Sequence, residues 1–586
     1  MFLKKSASTI NGKTYFNYKV VESYRENDKV KHRILFNIGH LTEEQASRMR
    51  LVIGAHSDTD IVVSKPEDIV ITKHAAYLNV AALYALWQDW GLDVFFQKDR
   101  WVSAMVLNRC IDPLPKIDIK EWLAETILPA YLNTDPLNTN SFDVYRELDR
   151  LTLHEDELQT FLYQRLKSKY PEDTSTFFYD ITSTYMVGSQ CSLALFGHSR
   201  DNRSDCEQIV IALMVTPQGY PFYWRVLPGN TQDVTTIKDL IKNIKNRYGI
   251  TECILVFDRG MVSNENLLNL KDEKLAYVSA MDKDEIANAA FFRNALPAPA
   301  TLNDWEQIMA MQEFIPFDEN ELMFFRELEG YSQRYILTFD VARFIDEHKS
   351  HISKLNQIKE WVEQKNQSLT QAKKARNKDI LEKEIEKFLR CKHTHKWISI
   401  QLEPYTINLI SKSGKERIID TFRLNYKVDE NYVYNIQRLF GVTCFITNIS
   451  KANASSREII EWYRNKNKIE EAFHELKDHL DLRPVFLTRE KRIKAHVTIC
   501  MLAYFLYNDI ENRLANSSVS LSVDKVLNLL AKCNVNKMEF LKTNRSQLSI
   551  TELSEIQKSI VRALGCENII DSKRVKQILK TFESYL

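Results

Sequence analysis

Two short apolar runs carry an aspartate that could do chemistry. Residues 176–185 (TFFYDITSTY) hold Asp180, and residues 252–263 (ECILVFDRGMVS) hold Asp258 directly behind five apolar residues. A short apolar run bounded by polar and Gly signals marks a buried strand, although a buried helix segment has a similar pattern. The Ile and Val of the second run, and Gly260 just after it, favour the strand. Asp258 then stands at the carboxyl end of a central strand, where open α/β sheets place their sites. Its bland alternative is a turn aspartate before a helix begun by Ser263 or Asn264. Two such carboxylates on adjacent strands repel and need a cation between them, unless one takes up a proton. An oxygen-only site of this kind suits Mg²⁺, which binds through one or two carboxylates plus substrate phosphates. A third acid, Glu470, lies on the helical segment SREIIEWYRNKNKIEEAFHELKDHL, capped by Ser455 or Ser456. Its place beside Ile469 on the apolar stripe predicts partial burial. Tyr463, Lys466, Glu470 and Lys477 fall near one face of that helix, for which ordinary i, i+4 pairing of Lys466 with Glu470 is the plain alternative.

The elements around these residues follow from the same patterns. Strands over 176–185, 208–215 and 220–227 form a meander with a turn at 216–219. An amphipathic helix over 234–248, the strand before Asp258, a helix over 264–270 and a strand over 276–281 complete a β-β-β-α-β-α-β run. Three antiparallel strands followed by α/β units, with Asp on the first and fourth strands, is the ribonuclease-H-like order. The expected fold class is therefore α/β, with a ribonuclease-H-like core on a mixed sheet. Residues 1–60 alternate as a small β-rich domain, and 61–172 read as helical. The core takes 173–283 and 441–515, interrupted by a mainly β insertion over 284–440 that carries a long charged helix near 342–391, with a break expected near Asn366. Residues 516–586 read as small helices.

Composition narrows the class of protein. The 586 residues are 44% hydrophobic and 27% charged, as in soluble globular chains, and suggest about three or four domains. A net charge of +1 exerts no overall pull on nucleic acid, but residues 1–52 hold ten Lys/Arg against five Asp/Glu, and 351–397 hold twelve against six. Nine cysteines without a CxxC pair suggest reduced thiols and a cytoplasmic setting. Cys391, His393 and His395 match no zinc spacing. The apolar run 497–507 is too short to span a bilayer, so no membrane association is expected.

At this point the residues resemble a family. The chain is similar to the DDE transposases of bacterial insertion sequences, in the branch with a Y-(2)-R-(3)-E-(6)-K signature, here Tyr463, Lys466, Glu470 and Lys477. YDITST around Asp180, LPGNTQD and DRGMVS around Asp258, LALFGHSRDNRSD, and LRPVFLTREKRIKAHV are also family-like. Lys466 departs from the usual Arg, which keeps the charge and loses the bidentate fork. The 211 residues between Asp258 and Glu470 exceed a plain ribonuclease-H-like spacing, and the resemblance accounts for them as an insertion domain.

The resemblance implies that Asp180, Asp258 and Glu470 bind two Mg²⁺ ions, with Mn²⁺ able to substitute. Paired metals serve an in-line displacement at phosphorus. Water would cut the strand at the element's terminal inverted repeat, and the freed 3′-OH would attack target DNA, with a homodimer holding paired ends. Tyr463, Lys466 and Lys477 would contact phosphates near the cleaved end. Arg259 would do the same or pair with a core carboxylate. His198 is a weaker substrate contact, and Arg483, Arg489, Lys491, Arg492 and Lys494 form a basic cluster that could follow DNA or solvate a helix end. The alternatives are a DNA-binding derivative that no longer cuts and a ribonuclease-H-like nuclease that cuts without joining.

Overall fold

The computed structural model describes residues 1–10, 13–57, 61–187, 191–320, 322–330, 333–410, 416–543 and 545–586. Two units result, Leu148–Asn508 and a second made of Met1–Glu147 with Asp509–Leu586.

In the first of these, β1 (Thr176–Tyr185), β2 (Gln208–Val215) and β3 (Pro221–Pro228) form an antiparallel meander. Helix α1 (Thr236–Tyr248) leads to β4 (Ile254–Phe257), which pairs parallel to β1. Helix α2 (Asn264–Asp272) leads to β5 (Ala276–Ala280), parallel to β4. The spatial order β3-β2-β1-β4-β5 is the ribonuclease-H-like one expected from the sequence. All eight residues of β2, and all but two of β1, are buried. A strand covered on both faces has no polar alternation to show, hence the unbroken apolar runs. One face is covered by the helix Glu155–Lys169, whose Tyr163 packs on Phe177, Phe222 and Tyr248.

The expected insertion has two structural parts. Strands β6 (Ile315–Pro316), β7 (Met323–Glu329) and β8 (Arg334–Asp340) extend the core sheet. They join through β11 (Val442–Thr447) to β5, giving nine strands in the order β6-β7-β8-β11-β5-β4-β1-β2-β3. Leu337, Phe339, Val442 and Cys444 bury together there, and this apolar face requires a neighbouring layer. Between β8 and β11, helices α3 (Val341–Thr370) and α4 (Lys378–Cys391) lie with the hairpin β9 (Ile398–Ile410) and β10 (Glu416–Val428). Ile358, Val362 and Leu369 meet Leu381, Ile385, Leu389, Trp397 and Leu424 in a separate small core. The polar helix read from the sequence is thus a broken pair with one buried stripe.

The chain then enters α5 (Ser456–Asn465), α6 (Asn467–Asp478) and the long α7 (Glu490–Ala515). Ser455 caps α5 in a capping box with Glu458. On β3, the Trp224 indole N–H donates to Thr498 of α7 at 3.1 Å.

In the other unit, Phe2–Ile10, Lys13–Glu26 and Lys29–Gly39 form a three-stranded sheet followed by the helix Glu43–Ser57. The C-terminal region corrects the all-helical expectation. Asn534–Phe540 pairs with Arg545–Ile550 and with Ile69–Ala76. That last partner is far away in the chain, so no local pattern marks the strand.

Candidate active site

Register brings the two aspartates together. Tyr179 of β1 pairs with Phe257 of β4, so Asp180 and Asp258 are the next residues on adjacent parallel strands. Such strands lie about 4.8 Å apart. β4 stops at Phe257 while β1 runs on to Tyr185, so Asp180 sits inside its strand and Asp258 begins a turn. The Ile181 amide donates to Asp180 Oδ1 at 2.8 Å, and the Tyr463 hydroxyl donates to Asp258 Oδ1 at 3.2 Å.

Glu470 arrives on a helix that is broken, which the sequence pattern did not predict. α5 ends at Asn465 and α6 begins at Asn467, with Lys466 between them at φ −55° and ψ −22°. Ile469, Ala472, Phe473 and Leu476 take the buried face of α6. Glu470 is 59% exposed, where partial burial was expected. In the first turn of α6, its charge is favoured by the helix dipole.

Lys466 is bonded to Glu470 and lies in the field of both aspartates. The residue is 5% exposed, and its ammonium donates to Glu470 Oε1 at 2.8 Å. Burial lowers its pKa, but Asp180, Glu470 and Asp258 outweigh burial and hold it above the ordinary lysine value. Burial pushes the Asp180 carboxyl up to about 6, and Asp258 adds to the rise, while Lys466 and the Ile181 amide oppose it. Burial, followed by the nearby Asp258, raises the Tyr463 phenol. Two aspartates side by side, with Glu470 nearby on Lys466, make a field that collects positive charge. Their all-oxygen donor set fits a hard divalent ion.

The remaining predicted contacts divide. Arg259 is 51% exposed and loosely paired with Asp282 at 3.9 Å. Lys477 is not at the surface: its ammonium donates to Ser183 O at 2.7 Å and to Asp201 Oδ1 at 2.8 Å, and burial lowers its pKa. Of the basic cluster, Arg483 pairs with Asp201 and Asp478, Arg492 with Asp149, and Lys494 with Glu490. These three are thus held in ion pairs within the protein. His198 is exposed, and its carbonyl accepts from Ser183 Oγ at 3.2 Å.

Sequence reasoning missed several neighbours. Arg200 pairs with Asp233 at 2.6 Å, joining SRDNRSD to LPGNTQD beside Asp180. The glycine of LPGNTQD is sterically required, because a Cβ at Gly229 would lie 1.9 Å from Gln208 O. An open cleft of about 430 Å³ beside Asp258 and Glu470 is lined by Arg259, Lys283, Arg343, Arg464 and Lys466. The dense motif runs around 193–205 and 227–233 could have drawn attention to Arg200. Nothing local marks Lys283 or Arg343.

Residues 180–506 match the family described as "Transposase DDE domain", more than half of the chain. The chain belongs to the DDE transposase family. Residues 3–60 of this transposase also match "IS1634 family transposase, N-terminal domain", which makes it an insertion-sequence transposase, as the motifs predicted. The DDE match begins at Asp180 and includes Asp258, Glu470 and both parts of the insertion. Among solved structures, a piggyBac transposase synaptic complex with hairpin DNA is similar at 9% identity and TM-score 0.35, covering 81% of this chain and 76% of that one. A Mos1 transposase paired-end complex with left transposon end shares 14% identity at TM-score 0.14, covering 42% of this chain and 69% of that one. No curated protein sequence matches. Among the described residues, no helix is long and apolar enough to cross a membrane.

Proposed function

We propose that Asp180, Asp258 and Glu470 are the catalytic carboxylates of this transposase, which cuts DNA at the terminal inverted repeats of its element and joins the freed ends to target DNA. The observation that carries this reading is the strand register that sets Asp180 and Asp258 side by side, with Glu470 held to Lys466 in the cleft beside Asp258. When bound, a pair of Mg²⁺ ions, or Mn²⁺ in their place, activates the attacking oxygen and stabilises the leaving one in an in-line displacement.

The chain's own groups prepare that step. Asp180 is ionised above pH about 6 and is then a ligand. The Tyr463 hydroxyl fixes the Asp258 carboxylate from one side. Glu470, exposed on the first turn of α6, would leave Lys466 to turn toward the aspartates. Lys466 carries its charge from the carboxylates to a DNA phosphate, which is what the Y-(2)-R-(3)-E-(6)-K reading requires of that position. Arg259, with Lys283, Arg343 and Arg464 along the cleft, supplies further cations at backbone phosphates. Lys477 holds α6 against β1 through Ser183 and Asp201. Two copies of the chain, each with one site, hold the paired ends.

The test is incubation of the full chain with DNA bearing the terminal repeats, with Mg²⁺ or Mn²⁺, beside Asp258→Ala. Metal-dependent nicking at the repeat end, joined products, and loss of both in the variant are expected. Binding without cutting would refute the enzymatic reading, and cutting without joined products would reduce it to a nuclease.

A further inference from the structure

The last turn of α6 presents a different set of donors. One ligand atom from each of His474, Glu475 and His479 lies within 4.8 Å of the others. Among the described residues, no other three His, Cys, Asp or Glu side chains come that close, and the carboxylates around Lys466 are spread wider. The sequence explains the grouping. His474 with Asp478, and Glu475 with His479, are two i, i+4 pairs on adjacent columns of one helix.

The orientation of the rings matters more than their proximity. His474 Nε2 faces Asp478 Oδ2 at 3.3 Å, which leaves Nδ1 turned toward Glu475 Oε1 at 4.0 Å. His479 Nε2 faces Glu475 Oε2 at 3.8 Å. Asp478 is in turn held by Arg483. A carboxylate behind one ring nitrogen, with the other nitrogen aimed at a shared centre, is how metal-binding histidines are held in structures. The two imidazoles are exposed and the carboxylate between them is half-buried.

We propose that His474, Glu475 and His479 form a second metal site, for a borderline divalent transition ion of the Zn²⁺ type, with Asp478 orienting His474. Two imidazoles and one carboxylate favour such ions over Mg²⁺, which prefers oxygen ligands alone. The site is distinct in chemistry from the carboxylate site that serves the proposed function, and it does not depend on that reading. Bound metal cross-links the end of the helix that carries Glu470 and stiffens the turn into Leu482.

The test uses the full chain without an affinity tag, in an Asp258→Ala background that disables the carboxylate site. Co²⁺ is titrated and read by its visible absorption, then displaced with Zn²⁺. One Co²⁺ per chain is expected, retained in at least a tenfold excess of Mg²⁺ and displaced by Zn²⁺. His474→Ala and His479→Ala should each weaken binding at least tenfold, and Zn²⁺ should raise the melting temperature of the parent but not of His479→Ala. Both histidines are exposed, so these variants keep the fold, which circular dichroism checks. Co²⁺ binding unchanged in both variants, or fully displaced by equimolar Mg²⁺, would overturn the proposal.

Discussion

Asp180→Asn should abolish cleavage and make the metal-free protein more stable at neutral pH. Asp180 ordinarily titrates near 3.8, and burial lifts it to about 6. At about 1.4 kcal/mol for each tenfold change in acidity, the ionised form costs the folded protein about 3 kcal/mol. The sign follows from linkage. A carboxyl raised in the folded state binds more protons there than in the unfolded chain between pH 3.8 and about 6, so stability falls as pH rises through that window and is level above it. Asparagine mimics the neutral acid in shape, and its carbonyl can still accept from the Ile181 amide. The variant should therefore match the parent near pH 4 and exceed it by up to about 3 kcal/mol at pH 7 and above. Divalent metal should narrow that gap, because an ion at 100 times its dissociation constant stabilises the parent by about 2.7 kcal/mol. The assay is urea unfolding of both proteins from pH 4 to 8, with and without Mn²⁺. A variant that is less stable at pH 8, or a difference that does not vary with pH, would refute the argument that Asp180 is held charged against its surroundings.

Glu470→Gln should also abolish cleavage yet change stability by less than about 1 kcal/mol, because the Lys466 pair it breaks is exposed on its acidic side; thermal melts beside the nicking assay check this. Lys466→Met removes the cation that offsets Asp180 and Asp258 and should cost about 1–3 kcal/mol without metal, partly recovered with Mn²⁺, in the same unfolding assay. Lys477→Ala leaves Asp201, whose side chain is 2% exposed, with Arg483 as its remaining cation, and should cost about 1.5–3 kcal/mol. Filter binding at several salt concentrations should show the Lys477→Ala salt slope unchanged, since the inward-turned ammonium neutralises no phosphate. Arg334→Ala should destabilise the start of α5, where Arg334 donates to Ile449 O at 3.0 Å and Ala454 O at 2.8 Å; faster amide exchange across 455–465 is the readout.

Much of the core was legible in the chain because its strands are covered on both faces. TFFYDITSTY, QIVIALMV and CILVF are apolar runs whose ends and turns are marked locally, so the meander, both aspartates and their adjacency follow from pattern and strand order alone. The spacing from Tyr463 to Lys477 likewise places four side chains on neighbouring turns. Spacing could not determine which way those side chains face. Across the break at Lys466, Glu470 is exposed while the Lys466 side chain is buried and bonded to it. Lys477 looked like a surface cation until Asp201, which lies 276 residues earlier in the chain, claimed it. The insertion's division between the shared sheet and a separate small core depends on pairings such as Phe339 with Val442, and the strand at 534–540 depends on a partner near residue 70. Local sequence encodes periodicity and chain breaks, which are properties of neighbours. Burial of a charge, and the partner that makes it tolerable, are set by residues that only folding brings within a few ångströms.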